Sequence, residues 1–107
     1  MQISYFGHSC FKLKGKHGTL VTDPYSAEGV YGISMPQLTA DLVTVSHHHR
    51  GHDAVEKIKA SANRKKPFII DFPGEYEVGG ISVFGVKTFH DKVGGKERGN
   101  NLIFTIL

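Results

Sequence analysis

The chain is short of thiols, of long apolar runs and of concentrated charge, and each shortage excludes something. Its single cysteine, Cys10, excludes an internal disulfide framework and makes a cytoplasmic setting the expectation. No stretch approaches the roughly 18 consecutive apolar residues of a membrane-spanning helix, so no membrane association is expected. The opening MQISYFGHSCFKLKGK lacks the basic stretch and apolar core of a secretory signal. No repeat, low-complexity tract or interior linker divides the 107 residues, and residues 1–107 read as one domain.

Charge excludes little more. Thirteen Lys and Arg against ten Asp and Glu give a formal net charge of +3. Lys12, Lys14 and Lys16 alternate along one strand face, and Arg64, Lys65 and Lys66 fall in a turn. A nucleic-acid module would gather such charge into a stripe with interleaved aromatics, and no such stripe is present, so a nucleic-acid partner is not expected.

What is present is a succession of short apolar runs broken by Gly, Pro, Asn and Asp, the pattern of a strand-rich domain. Residues 2–6, 10–14 and 19–22 read as a three-strand meander, stopped at Asp23-Pro24 because proline has no amide proton to donate. Residues 25–39 carry Gly29, Gly32 and Pro36 without periodicity and read as a loop. Leu42-Val43-Thr44-Val45 is β-branched and unalternating, as a strand buried on both faces should be. Residues 53–60 read as a helix, with Asp53 as N-cap and Val55 and Ile58 on one stripe. Residues 66–71 read as a strand, residues 78–89 as hairpin arms around Gly79-Gly80, residues 91–101 as a loop and residues 102–107 as a last strand.

Four of the seven histidines lie within residues 47–52, directly after the buried strand and before the expected helix. Loops at strand ends are where α/β folds place ligands and catalysts. Neutral imidazole is the commonest metal-binding side chain and suits zinc. Alternate residues on extended backbone point the same way, so His47 and His49 can converge on one ion while His48 and Arg50 turn away. After the chain turns at Gly51, His52 can reach the same cavity, and His90 follows another strand in the similar context Phe89-His90-Asp91. His17, in a Lys-His-Gly turn, reads as an exposed turn residue.

With the histidines of residues 47–52 stand Tyr5-Phe6-Gly7-His8-Ser9-Cys10, Val21-Thr22-Asp23-Pro24, Pro73-Gly74-Glu75-Tyr76-Glu77-Val78, and Phe89-His90-Asp91 followed by Arg98-Gly99-Asn100-Asn101. Together these resemble the metallo-β-lactamase-fold hydrolases, in the branch of small metal-dependent hydrolases and ascorbate-lactonase-like proteins. The resemblance implies an α/β (α+β) fold, half of a four-layer αββα sandwich with one or two helices. It assigns His47, His49 and His90 to a first metal position and His52 to a second. Zn2+ is the implied ion, one or two of them, with Mn2+ or Fe as alternatives. His8 and Asp23 are the implied catalytic-site residues. His8 is a candidate for substrate contact or proton transfer, or else a buried structural histidine. Asp23 is a buttress of the metal loop, or else a strand terminator needing only turn chemistry.

Two departures from the family pattern bear on function. Gly51 stands where the motif has an aspartate, which weakens a second metal position. The chain also stops before the second half in which the family's later ligands lie. The resemblance thus implies a hydrolase in which a metal-bound hydroxide, formed from bound water whose pKa the ion lowers to about 7, attacks a small-molecule ester, lactone or phosphodiester. The alternative is a non-catalytic metal-binding or structural half-domain. Either way, sheet faces left without a facing layer lead to the expectation of a homo-oligomer or a complementing chain.

Overall fold

The computed structural model describes residues 1–25, 36–48, 52–61, 66–89 and 100–107. The amino-terminal strands β1 (Gln2–Tyr5), β2 (Phe11–Lys14) and β3 (Thr19–Thr22) form the expected antiparallel meander, with Ile3 opposite Leu13 and Leu13 opposite Leu20. Strand β5 (Leu42–Thr44) then lies parallel to β3, and β7 (Phe68–Ile70) lies parallel to β5. The result is a five-stranded mixed sheet in the order β1-β2-β3-β5-β7. Its three parallel strands all run toward the same edge, and that edge carries the candidate site.

Two sequence expectations are corrected here. The loop over residues 25–39 ends inside a strand, β4 (Leu38–Ala40). The helix expected over residues 53–60 is a single 3-10 turn, Val55–Lys57, running into strand β6 (Ile58–Ala60). Strands β4 and β6 pair in parallel, Leu38 with Ile58 and Ala40 with Ala60. An eight-residue segment is too short for a helix to stand on propensity alone, and here the ladder with β4 competes for its backbone. Asp53 caps nothing, because its carboxylate faces His48 and the turn has no side-chain cap. Among the described residues this turn is the whole of the helical content.

Strands β8 (Gly74–Val78), β9 (Ile81–Phe89) and β10 (Asn100–Ile106) form a second, antiparallel sheet in the order β10-β9-β8. The β8–β9 hairpin turns at Gly79 and Gly80, with φ of 56° and 85°. Two successive positive φ values define the tight turn whose twist matches the flanking strands, and glycine adopts them without strain.

Alternation along the parallel strands explains why both faces of the large sheet are buried. Val21 and Val43 pack with Cys10, Tyr25, Leu38, Ala40, Val45 and Ile58 on the side covered by β4 and β6. Leu20, Leu42 and Ile70 pack on the opposite side with Val83, Leu13, Tyr76, Val78 and Phe104, against the three-stranded sheet. The molecule is thus layered, with β4 and β6 on one side of the central sheet and β8–β10 on the other.

Candidate metal centre

The site follows from the sheet. Because β3, β5 and β7 are parallel, the residues just past Thr22, Thr44 and Ile70 lie side by side at one edge. The Asp23 amide donates to the Thr44 carbonyl at 2.8 Å, and the Val45 amide donates to the Ile70 carbonyl at 2.9 Å, so both chains leave the sheet in register. Strand β2 runs antiparallel to β3, which brings the turn at residues 7–9 to the same edge. Strand β10 starts there too, the Leu102 amide donating to the Ser46 carbonyl at 2.7 Å.

Asp23 is the hub. Its carboxylate is buried and accepts three hydrogen bonds: the Ser46 amide at 2.7 Å, the Ser46 hydroxyl at 2.6 Å and His52 Nδ1 at 2.9 Å. One side chain at the end of β3 therefore ties down the loop after β5 and the histidine that follows it. Asp23 also stands directly after the last residue of β3 and before Pro24, so these side-chain bonds and its place at the strand end occur together. Its backbone lies in the left-handed region, φ 37°, a conformation few non-glycine residues hold without surrounding support.

The histidine rings are oriented from behind. His47 Nδ1 lies 3.0 Å from Asn101 Oδ1 on β10 and 3.0 Å from Ser46 Oγ. The Ser46 hydroxyl proton is directed to Asp23, so His47 Nδ1 carries the proton that Asn101 accepts. His52 Nδ1 likewise donates to Asp23. In both rings the basic nitrogen is then Nε2, the arrangement that carboxylate and carbonyl partners impose on metal-ligating histidines. The two rings lie with centroids 4.0 Å apart.

His8 joins them from the turn at residues 7–9. Its Nε2 lies 3.1 Å from His52 Nε2, with ring centroids 4.6 Å apart. It is exposed, so it is not the buried structural histidine left open by the sequence. Its φ is 51°, making His8 and Asp23 the two positive-φ residues other than glycine among those described. Both are residues singled out from sequence as catalytic-site candidates.

His48 turns outward, as expected of an intervening residue. Its Nδ1 lies 3.1 Å from Asp53 Oδ2 and its Nε2 3.2 Å from Asp71 Oδ2. His17 is exposed at the far end of the sheet, and Glu75 is exposed on β8. Two of the expected ligands, His49 and His90, lie outside the described residues, as does Gly51. Among the described residues no three His, Cys, Asp or Glu side chains form a complete metal-holding group. What those residues contribute is His47, His52 and His8 with their supports.

Neither Ser46 nor Asn101 has a role assigned from sequence, although Asn101 stands in one of the motif pieces. Ser46 carried one usable signal, its place directly after the buried strand. Asn101 carried none by spacing, since its role depends on where β10 starts. Cys10 lies beneath the site, fully buried. Burial, with the Asp23 carboxylate as a second cause, pushes its thiol up to about 12.

At the carboxyl edge of the parallel strands, then, paired histidines are backed by a buried aspartate. The sequence profile of the beta-lactamase superfamily domain matches residues 2–107, and the chain belongs to that family. A UPF0173 metal-dependent hydrolase of Lysinibacillus sphaericus is 32% identical over 98 residues, covering 89% of this chain and 40% of the relative. One from Opitutus terrae is 42% identical over 59 residues, covering 52% of this chain and 26% of the relative. Among solved structures, a candidate zinc-dependent hydrolase of the metallo-β-lactamase superfamily from Thermotoga maritima superposes with a TM-score of 0.69 at 38% identity. That match covers 97% of this chain and 42% of the other. The resemblance carried by the motifs is borne out, and so is the half-domain architecture. The chain spans about 40% of the length of the Lysinibacillus and Thermotoga proteins.

Proposed function

We propose that this chain is the metal-binding portion of a metal-dependent hydrolase, holding zinc through His47, His49 and His90 with His52 beside them. The observation that carries this reading is the pair of rings at His47 and His52, with Nδ1 3.0 Å from Asn101 Oδ1 in one and 2.9 Å from Asp23 Oδ2 in the other, contacts that favour Nε2 as the basic nitrogen. The donor set fits a borderline-soft divalent ion such as zinc, which takes neutral imidazole at about 2.0–2.1 Å. When bound, such an ion lowers the pKa of water and polarises a carbonyl or phosphoryl oxygen. The chain's own part is positional. Asp23 fixes His52 and Ser46, Asn101 fixes His47, and the rigid strand ends hold both rings in place before substrate arrives.

The substrate class is a small ester, lactone or phosphodiester, and the setting is cytoplasmic. A specific observation favours a second reading, a metal-binding module without turnover: Gly51 offers no carboxylate to a second ion. Metal analysis after dialysis tests the binding. Chromogenic phosphodiester and lactone substrates, presented to the native chain and to Gly51→Asp, test turnover. Hydrolysis by the native chain supports the first reading. Zinc retained without hydrolysis in either chain supports the second, and a chain that retains no metal overturns both.

We propose further that the partner is a second copy of this chain. Support comes from β10, an edge strand whose sequence, NNLIFTI, has neither charge nor proline to discourage pairing.

A further inference from the structure

The geometry points to His8 as a metal ligand, sharing one ion with His52. This inference rests on the metal-binding reading above and goes beyond it by adding a ligand from a different part of the chain. The Nε2 atoms of His8 and His52 are 3.1 Å apart. Two imidazole nitrogens on a tetrahedral zinc, each at 2.0–2.1 Å, are separated by about 3.3 Å, so the observed spacing is within a small adjustment of a shared ion. His52 presents its basic nitrogen on that side because its Nδ1 is held by Asp23 at 2.9 Å.

His8 is held there by its own turn. The Cys10 amide donates to the Gly7 carbonyl and the Phe6 amide to the Cys10 carbonyl, both at 2.9 Å. Tyr5 Oη donates to the His8 carbonyl at 2.8 Å, and Thr22 Oγ1 donates to the Ser9 carbonyl at 2.9 Å. The backbone at His8 is left-handed, φ 51°, and its ring lies with its centroid 4.6 Å from that of His52. A histidine kept in a sparsely populated conformation by four neighbouring hydrogen bonds is over-determined for a purpose. Gly51, immediately before His52, has no side chain to ligate an ion, and His8 brings a second imidazole nitrogen to within 3.1 Å of that of His52.

The competing arrangement is a hydrogen-bonded chain Asp23–His52–His8 that only moves protons. Cobalt binding separates the two. The metal-free native chain, His8→Asn and His8→Asp are titrated with Co(II), following visible absorption and bound metal. Asparagine and aspartate both tolerate positive φ, so the turn is preserved in each variant. Circular dichroism verifies the fold. His8→Asn is expected to weaken Co(II) binding at least about tenfold and to dim the absorption band, while His8→Asp restores both. In the native chain, the 15N resonance of His8 Nε2 is expected to shift on zinc addition to a metal-bound position, a readout that needs no variant. Unchanged Co(II) affinity and spectrum in His8→Asn, or an unmoved His8 resonance, overturns the assignment and leaves the hydrogen-bonded chain. A native chain that takes up no metal overturns the underlying reading itself.

Discussion

Asp23 combines burial, left-handed backbone and three hydrogen-bond donors, so its replacement separates charge from shape. The substitution Asp23→Asn keeps the size and tolerates φ 37°, but it removes the carboxylate that Ser46 and His52 address. Hydrogen bonds to a charged group contribute more than neutral ones, and a stability loss of about 2–4 kcal/mol is expected in urea unfolding. His52 would lose its fixed tautomer, and zinc affinity should fall about 10–100-fold in a chelator competition. A loss of stability with unchanged zinc affinity would reduce Asp23 to a loop fastener. Cys10 answers to pH instead. Its thiol titrates near 12 in the native state and near the ordinary 9.0 when unfolded. Between those values the native chain holds a proton that the unfolded chain releases, so this contribution to stability is full below pH 9 and declines as pH rises toward 12. Denaturant midpoints across that range should fall less steeply in Cys10→Ala, and at about pH 8, below the ordinary thiol pKa, the native thiol should resist alkylation until the protein unfolds. Parallel slopes for the two proteins would remove Cys10 from the alkaline transition.

At the scale of elements, the β8–β9 turn offers a clean contrast. A Cβ at Gly80 would meet His17 Cβ and Cγ at 3.1 Å, and its φ is 85°. Gly80→Ala should therefore destabilise by about 1–3 kcal/mol, from left-handed strain plus the clash with the β2–β3 turn. Gly79→Asn, at φ 56°, creates the favoured Asn-Gly hairpin pair and should shift the urea midpoint little. Equal effects at the two positions would refute the turn geometry. That hairpin was legible because adjacent glycines between apolar runs have few other uses, and the central strand was legible because Leu42–Thr44 holds the β-branched Val43 and Thr44 with no charged alternation. The segment at residues 53–60 was not legible. Its Val55 and Ile58 satisfy a helical stripe, yet Ile58 and Ala60 pair with Leu38 and Ala40, residues about twenty positions earlier. Periodicity reports which residues are buried locally and carries no term for a distant strand that competes for the same backbone. The site divides in the same way. The histidines and Asp23 were visible through their own chemistry, whereas Asn101 matters only because the register of β10 sets it beside His47.

For the whole molecule, the question is what covers the sheet edges. Val86 and Ile103 face each other across β9 and β10 at 62% and 60% exposure, while Ile3 on β1 is 64% exposed beside Tyr5, whose ring lies 4.7 Å from that of Phe11. Isolated exposed apolar residues are ordinary, but Ile103 lies on an uncharged, proline-free edge strand, and an edge of that composition is a template for pairing with another strand. Related proteins carry more than twice this length of chain, so their folds have material that these 107 residues do not supply. A second copy pairing along β10 would extend the three-stranded sheet through a two-fold axis and lay its own edge strand beside Ile103. Sedimentation velocity at rising concentration should then show a species heavier than the 11.8 kDa monomer. Ile103→Lys places a charge on the paired edge and should raise the dissociation constant at least about tenfold, equivalent to about 1.4 kcal/mol, without moving the urea midpoint of the monomer. A chain that sediments as a single 11.8 kDa species and binds no apolar dye would exclude the self-paired edge. Association untouched by Ile103→Lys but abolished by Ile3→Lys would move the contact to β1, the boundary strand of the other sheet.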